Sequence, residues 1–410
     1  MKILLVNKYH FAQGGADRAY LDMGDMLTRA GHEIAFFSMR HPKNISTVWN
    51  QYFASNVDYE EAGRAGLSQK IRVATNILWN REAEGCMERL LDNFCPDIVH
   101  LHNIYHQLSP AILRPIKKRG IPAVMTLHDY KLISPNYSLF VRGNIWEETK
   151  NGAYWKCVRD RCVKDSFAKS ALCAAEAYIH RWIGAYDTIS LFLSPSQFLI
   201  KKFHEFGFDR PIEYLPNPLV PFPKEDSFAE LPNNAPFVFI GRLSPEKGIE
   251  KILIALKKLD DTSTLHIVGD GPERGRLMAL TEELGISRRV SFLGYLSGNT
   301  LNRERNEARA ILLPSLWYEN MPYALTEALA EGAIVIASRR GGIPERIRDG
   351  ENSFLFDPDD TRSLVEKMRL VQSLKNESLR NIRKAARESV EDLREELFVK
   401  HLDTLYQGIV

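Results

Sequence analysis

Short apolar runs, each ending in glycine, proline or polar residues and followed by a stretch with apolar positions three and four apart, recur along the whole chain. Runs of this kind read as strands buried on both faces, and their alternation with helical spacing predicts parallel α/β units. The first unit opens with a strand from Lys2 to Val6, a turn through Gln13-Gly14-Gly15, a helix from about Ala16 to Arg29 and a strand from Glu33 to Ser38. Residues from about 42 to 89 read as helical and less regular. Two more buried strands follow, within Pro96 to His102 and Ile121 to Asp129, and another within Asp187 to Ser194, before a helix opening at Pro195-Ser196-Gln197.

Between Lys131 and His180 the periodicity breaks down into a long, aromatic-rich insertion with Cys157, Cys162 and Cys173. The proline-rich stretch from Pro216 to Pro236 is the best boundary in the chain. Beyond it strand and helix alternate clearly, with strands at Phe237 to Ile240, Thr264 to Val268, Arg289 to Leu293, Ala310 to Leu313, Ile334 to Ala337 and Ser353 to Phe356. The pattern predicts a first domain over 1–216 with an insertion at about 131–180, a second over 217–390, and a last helical stretch, 391–410, crossing back to the first.

Composition narrows this little further. The 410 residues are 44% hydrophobic, enough for two cores. With 54 Lys and Arg against 52 Asp and Glu, no polyanion signal is present and no nucleic-acid partner is expected. Five cysteines, few and odd in number, fit a reducing cytoplasm. The N-terminus lacks the longer apolar core of a signal peptide, and no run is long enough to span a bilayer. Cys157 and Cys162 with Cys173 and His180 could hold zinc, but the spacing is not a standard knuckle, and unpaired packing cysteines are the simpler reading.

The candidate chemistry lies in the loops after the strands, where open α/β sheets bind ligands. Glu319 sits in the loop after the strand from Ala310 to Leu313. Glu327 sits on the helix from Tyr323 to Ala330, with Asn320, Met321 and Pro322 between them. Carboxylates accept from paired hydroxyls, as in a sugar or a ribose, and the adjacent helix start offers N–H groups to an anion. Arg242 and Lys247 place two cations in the loop after Gly241, where a diphosphate would meet a helix end. Fixed cations stabilise a leaving diphosphate more than its ground state. In the first domain, Gly14-Gly15 lets backbone approach a ligand but matches neither GxGxxG nor a Walker motif. His102 and His128 fall at strand ends, where each could donate to a hydroxyl or simply cap its strand.

Together, Gly241-Arg242-x4-Lys247-Gly248, Gly269-Asp270-Gly271-Pro272, Phe292-Leu293-Gly294-Tyr295, Glu319-x7-Glu327-Ala328 and Gly341-Gly342-Ile343-Pro344-Glu345 resemble the nucleotide-sugar domain of the family 4 retaining glycosyltransferases with the GT-B fold. The resemblance is dense in the second domain and looser in the first, through Gly14-Gly15 and Thr126-Leu127-His128-Asp129. It implies two Rossmann-like doubly wound α/β domains facing across a cleft. It also implies a nucleotide-diphosphate sugar as donor, no cofactor, no metal and no protein nucleophile. Arg242 and Lys247 would bind the diphosphate, Glu327 the ribose, and Glu319 with the backbone after it the donor sugar. Leu293 to Leu296, including Tyr295, would line the base, beside the turns at Gly241, Gly269 and Gly271. His128 would meet the sugar, and Gly14 and Gly15 would approach the phosphate or the acceptor.

This implies hexosyl transfer to a glycan or lipid-linked saccharide in cell-surface polysaccharide synthesis. A noncatalytic GT-B subunit that binds nucleotide or glycan, or a sugar-nucleotide epimerase, are the alternatives. Asn320-Met321-Pro322 departs from the Gly-Phe-Gly of many relatives. Up to Ile189 the chain has 24 Lys and Arg against 19 Asp and Glu. That mild excess, with Trp79 and Trp182, fits a cytoplasmic protein able to rest peripherally on an anionic membrane.

Overall fold

The computed structural model describes residues 1–56, 75–223, 231–232 and 234–410. Part of the stretch read as helical from 42 to 89, including Ile71 and Val73, lies outside the described residues, as does part of the proline-rich boundary. The chain divides into two compact units. The first comprises Met1–Leu139, Glu147–Pro218 and Glu395–Val410, and the second Phe140–Trp146 and Leu219–Arg394. Both are Rossmann-like, with one parallel six-stranded sheet each, as the GT-B class requires.

In the first unit the sheet runs β2 (Glu33–Phe37), β1 (Lys2–Val6), β3 (Ile98–Leu101), β4 (Ala123–Thr126), β7 (Leu191–Ser194) and β8 (Ile212–Tyr214). The short strands β5 (Phe140–Val141) and β6 (Asn144–Ile145) form a separate antiparallel hairpin that is counted with the second unit, although the sequence pattern places the whole insertion in the first domain. Strands β3, β4 and β7 are buried at every position, because a parallel sheet covered on both faces leaves no strand residue facing water. Strand order reverses direction between β1 and β3, so the loops after these strands diverge and open a crevice.

The second sheet runs β11 (Val290–Gly294), β10 (Leu265–Val268), β9 (Phe237–Ile240), β12 (Ala310–Leu313), β13 (Val335–Ser338) and β14 (Phe354–Phe356). Alternation along each strand divides the core. Phe237, Phe239, Ile267, Leu312, Ile336 and Phe354 join one apolar cluster. Val238, Val268, Ile311, Leu313, Val335 and Leu355 join the other. A period of two thus assigns successive residues to opposite faces. Here the order reverses between β9 and β12, the two strands whose loops carry Lys247 and Glu319.

The insertion departs from its expected irregularity. Phe167–Trp182 is a regular helix whose N-cap, Ser166, accepts from the Lys169 backbone N–H. Cys157 and Cys162 form a disulfide, which corrects the reading of unpaired cysteines, removes both from any zinc set and takes away the cysteine argument for a reducing compartment. Their Cα atoms stand 4.9 Å apart, within bridging range. Helix Glu395–Gln407 belongs to the first unit. Arg29 binds Glu395 at 2.7 Å, His32 approaches Asp403 at 3.1 Å, and the Tyr406 hydroxyl meets His100 Nδ1 at 2.5 Å.

Candidate active site

Around the reversal point of the second sheet the glycines let loops touch backbone to backbone. At Gly248, with φ of +68°, a Cβ would lie 2.2 Å from the Pro314 carbonyl oxygen. Gly341, with φ of +66°, sits equally close to the Glu319 carbonyl. Only glycine fits both the left-handed backbone and the contact. Hydrogen bonds lock the same loops, from Leu316 N–H to the Glu246 carbonyl at 2.8 Å and from Gly342 N–H to the Glu319 carbonyl at 2.7 Å. Gly269 and Gly271 likewise press against the backbone of Gly241 and Leu243.

This packing brings Lys247 to Glu319. The ammonium donates to Glu319 Oε1 at 2.6 Å, and the Ser315 hydroxyl donates to the same oxygen at 2.8 Å. Glu319 is 7% exposed. Burial pushes its carboxyl up, but Lys247 outweighs burial and holds it below the ordinary carboxylate range. The site therefore keeps a buried carboxylate ionised against a fixed cation. Arg242 is exposed, and among the described residues no ion pair engages it.

Glu327 takes a different cation. Arg305, buried on helix Gly298–Glu307, donates to Glu327 Oε2 at 2.5 Å and lies 3.0 Å from Glu331. Burial, with Glu327 nearby, pushes the Glu331 carboxyl up to about 7, Arg305 opposing. Arg305 and Glu331 escaped the sequence reading, since a lone Arg and Glu on two helices carry no spacing signal. Pro322 caps helix Tyr323–Ala330 rather than entering its first turn. The Met321 side chain joins the apolar core, and Asn320 is half-buried. Leu293 and Tyr295 are exposed at the end of β11, at 36% and 81%.

In the first unit Gly14 caps helix Gly15–Arg29, and its N–H donates to Asp17 Oδ2 at 3.1 Å. Asn7 holds the other Asp17 oxygen at 2.9 Å. His100, His102 and His128 stack in sequence, with ring centroids 4.9 and 5.1 Å apart. His102 Nδ1 lies 2.8 Å from His128 Nε2, which fixes the His128 ring. Burial first, and Lys8 second, depress His128 to about 3, so it is neutral at pH 7. The glycine turn follows β1 and His128 follows β4, both parallel neighbours of β3, so the two loops leave the same edge of the sheet. Lys8, just past β1, and His100, inside β3, also went unread in the sequence, since neither carries a spacing signal.

For a metal, His106, Cys173 and Glu176 bring ligand atoms within 4.8 Å of one another. The Lys131 ammonium, 2.7 Å from Glu176, already neutralises that carboxylate. No helix of the described residues is long and apolar enough to cross a membrane.

The comparisons with known proteins agree with this arrangement. The pattern described as "Glycosyltransferase Family 4" matches residues 13–220, and that described as "Glycosyl transferases group 1" matches 224–389. A provisionally assigned colanic acid biosynthesis glycosyltransferase of Escherichia coli, WcaL, is 28% identical over 196 residues, 44% of this chain and 48% of that protein. The match thus spans about half of that relative's length. Among solved structures, sucrose-phosphate synthase from Thermosynechococcus elongatus superposes with a TM-score of 0.73 at 18% identity, over 99% of this chain and 98% of that one. Anabaena HepE in complex with UDP-glucose gives 0.65 at 16% identity over the whole of both chains. At these identities the structures speak for the fold alone, whereas the sequence patterns together run through both units. With the motif loops gathered at the reversal point of the second sheet, they make this chain a member of glycosyltransferase family 4.

Proposed function

We propose that the protein is a retaining glycosyltransferase that moves a hexosyl group from a nucleotide-diphosphate sugar to a glycan or lipid-linked saccharide in the synthesis of a cell-surface polysaccharide. The observation that carries this reading is the Lys247–Glu319 pair at the strand-order reversal, beside the exposed Arg242. A diphosphate departing next to Arg242 and Lys247 gains charge as its bond to the sugar breaks, and fixed cations favour that state over the ground state. Glu319 accepts from donor-sugar hydroxyls and Glu327 from the ribose. The acceptor attacks from the face the diphosphate leaves, and the departing phosphate takes its proton. His128, neutral and held by His102, donates to the sugar without adding charge. The polysaccharide setting is supported by WcaL, and the nucleotide-sugar donor by HepE.

Thermal-shift measurements with UDP, GDP, ADP and their common sugar conjugates test this. A rise confined to one nucleotide series is expected, because a ligand above its dissociation constant stabilises the state it binds. No rise with any of them at millimolar concentration would remove the donor reading. We further propose that the enzyme works at the cytoplasmic face of an anionic membrane, where exposed Trp182 and Ile183 beside Arg181 would enter the headgroup region. Flotation with anionic liposomes at low salt tests this, and protein left at the bottom of the gradient would sink it.

A further inference from the structure

The first unit contains a cavity of about 300 Å³ that the donor chemistry does not use. Its lining includes Lys131, Tyr154, Glu176, Tyr186, Phe206 and Arg210. Glu176 anchors it from helix Phe167–Trp182 and is 1% exposed. One carboxylate oxygen, Oε2, accepts from Lys131 at 2.7 Å and lies 2.9 Å from His106 Nε2. The other, Oε1, has no hydrogen-bond donor among the described residues, and His180 Nδ1 stands 3.9 Å away. Burial pushes this carboxyl up, but Lys131 and His106 outweigh it and hold it down to about 2, so Oε1 is an acceptor at any physiological pH.

A buried, ionised oxygen without a donor costs free energy that an incoming hydroxyl recovers. Tyr154, Tyr186 and Phe206 bring aromatic rings to the lining, while Arg210 spends its terminal nitrogens on the backbone carbonyls of Tyr186, Asp187 and Ile189 and so braces the wall. Lining charges of both signs, Lys131, Arg181 and Arg210 with Glu176, Asp187 and Asp209, disfavour a strongly charged ligand. A molecule apolar on its faces and hydroxylated at its edge meets all these demands. The volume falls at the small end of ligand pockets. The wall of the cavity is also continuous with the His128 loop, since the Lys131 backbone N–H donates to Asp129 Oδ1 at 2.9 Å.

We propose that this cavity binds one neutral sugar ring, with the ring face against the aromatic side chains and a shift of the lining that opens the shielded Glu176 Oε1 to a ring hydroxyl. Resting on the transferase reading, that ring belongs to the acceptor, at a subsite remote from the transferred sugar.

Saturation-transfer NMR on the full-length protein, with the methyl glycosides of glucose, galactose, mannose and N-acetylglucosamine as probes, tests binding. At least one glycoside is expected to bind saturably. Ala177→Leu, which fills the cavity, should weaken it at least about tenfold, and Phe206→Leu, which removes an aromatic face, by about threefold or more. Melting of each variant confirms that it folds. Binding by none of the probes, or binding unchanged in a folded Ala177→Leu protein, overturns the site. In turnover, Ala177→Leu should raise KM for acceptor and leave nucleotide affinity unchanged. An unmoved acceptor KM would reassign the cavity to free saccharide and overturn the acceptor role. Nucleotide affinity reads the second unit and is measured separately, so a failed donor reading is distinguishable from a failed cavity.

Discussion

Single side chains in this protein are set by the charge they face rather than by their own type. Glu319 and Glu327 look alike in sequence, yet one is held by Lys247 and the other by Arg305. Removing Lys247 leaves Glu319 buried without its cation, beside the neutral side chains of Ser315 and Trp317, so Lys247→Ala should cost about 1.5–3 kcal/mol of stability. The same change should lower kcat by about two orders of magnitude, as loss of a charge-stabilising group does. Calorimetry and turnover, taken together, check it, and an unchanged kcat would exclude Lys247 from the chemistry. Glu331 gives a pH effect of the opposite kind to the histidines. Its folded pKa of about 7 lies above the ordinary 4.5, so the folded state holds more protons than the unfolded one between these values, and stability falls as pH rises through that window. Glu331→Gln should abolish this fall, by melting temperature followed from pH 5 to 8. In His100 and His128 the folded pKa is about 3 against 6.5, so the unfolded state holds more protons and stability is lost as pH falls below 6.5. One such histidine costs on the order of 2 kcal/mol by pH 5. The positions of Glu319 in a loop and Glu327 on a helix were readable from sequence, but their partners were not, because Lys247 and Arg305 reach them only through tertiary packing.

Elements were more legible than their ends or their company. Lys2–Val6, Phe237–Ile240, Ala310–Leu313 and helix Tyr323–Ala330 follow the apolar pattern residue for residue, since a buried parallel strand must be apolar throughout. Helix Phe167–Trp182 was hidden because its alanines and cysteine mix with exposed Phe167, Tyr178 and Trp182, which blurs the apolar stripe that marks a surface helix. The disulfide was hidden because four residues between cysteines carry no connectivity signal. Helix Glu395–Gln407 shows how an end element stabilises a distant sheet. Its Tyr406 hydroxyl is the partner of His100 Nδ1, while Thr126 holds His100 Nε2 at 2.7 Å. Tyr406→Phe leaves a buried ring nitrogen without a partner and should destabilise the first unit by about 1–3 kcal/mol. Removal of the helix should cost far more, since Phe398, Leu402 and Tyr406 are buried. A denaturant titration monitored in each unit reads both, and an unaltered first transition after truncation would mean the helix carries no stability.

For the molecule as a whole, the candidate groups of both sheets lie in loops past the carboxyl ends of the strands, and in the second sheet Lys247 and Glu319 flank the point where strand order reverses. The sequence places the motif loops after the strands, because strand and loop identity suffice for that, whereas the strand order that sets the reversal point depends on tertiary pairing. The same logic bears on metals. A catalytic divalent ion would need open carboxylate ligands near the leaving group, and here Glu319 is turned onto Lys247 and Glu327 onto Arg305. The positive charge a metal would bring is already present as Arg242 and Lys247, fixed to the sheet by the Gly241 and Gly248 turns. Turnover of the cognate nucleotide sugar should therefore survive excess EDTA within about twofold, whereas Arg242→Ala with Lys247→Ala should fall far below either single change. The double variant separates the two sources of charge: if magnesium restores its rate, an ion shares the work of the cations, and if EDTA silences the unmodified protein, an ion was doing that work from the start.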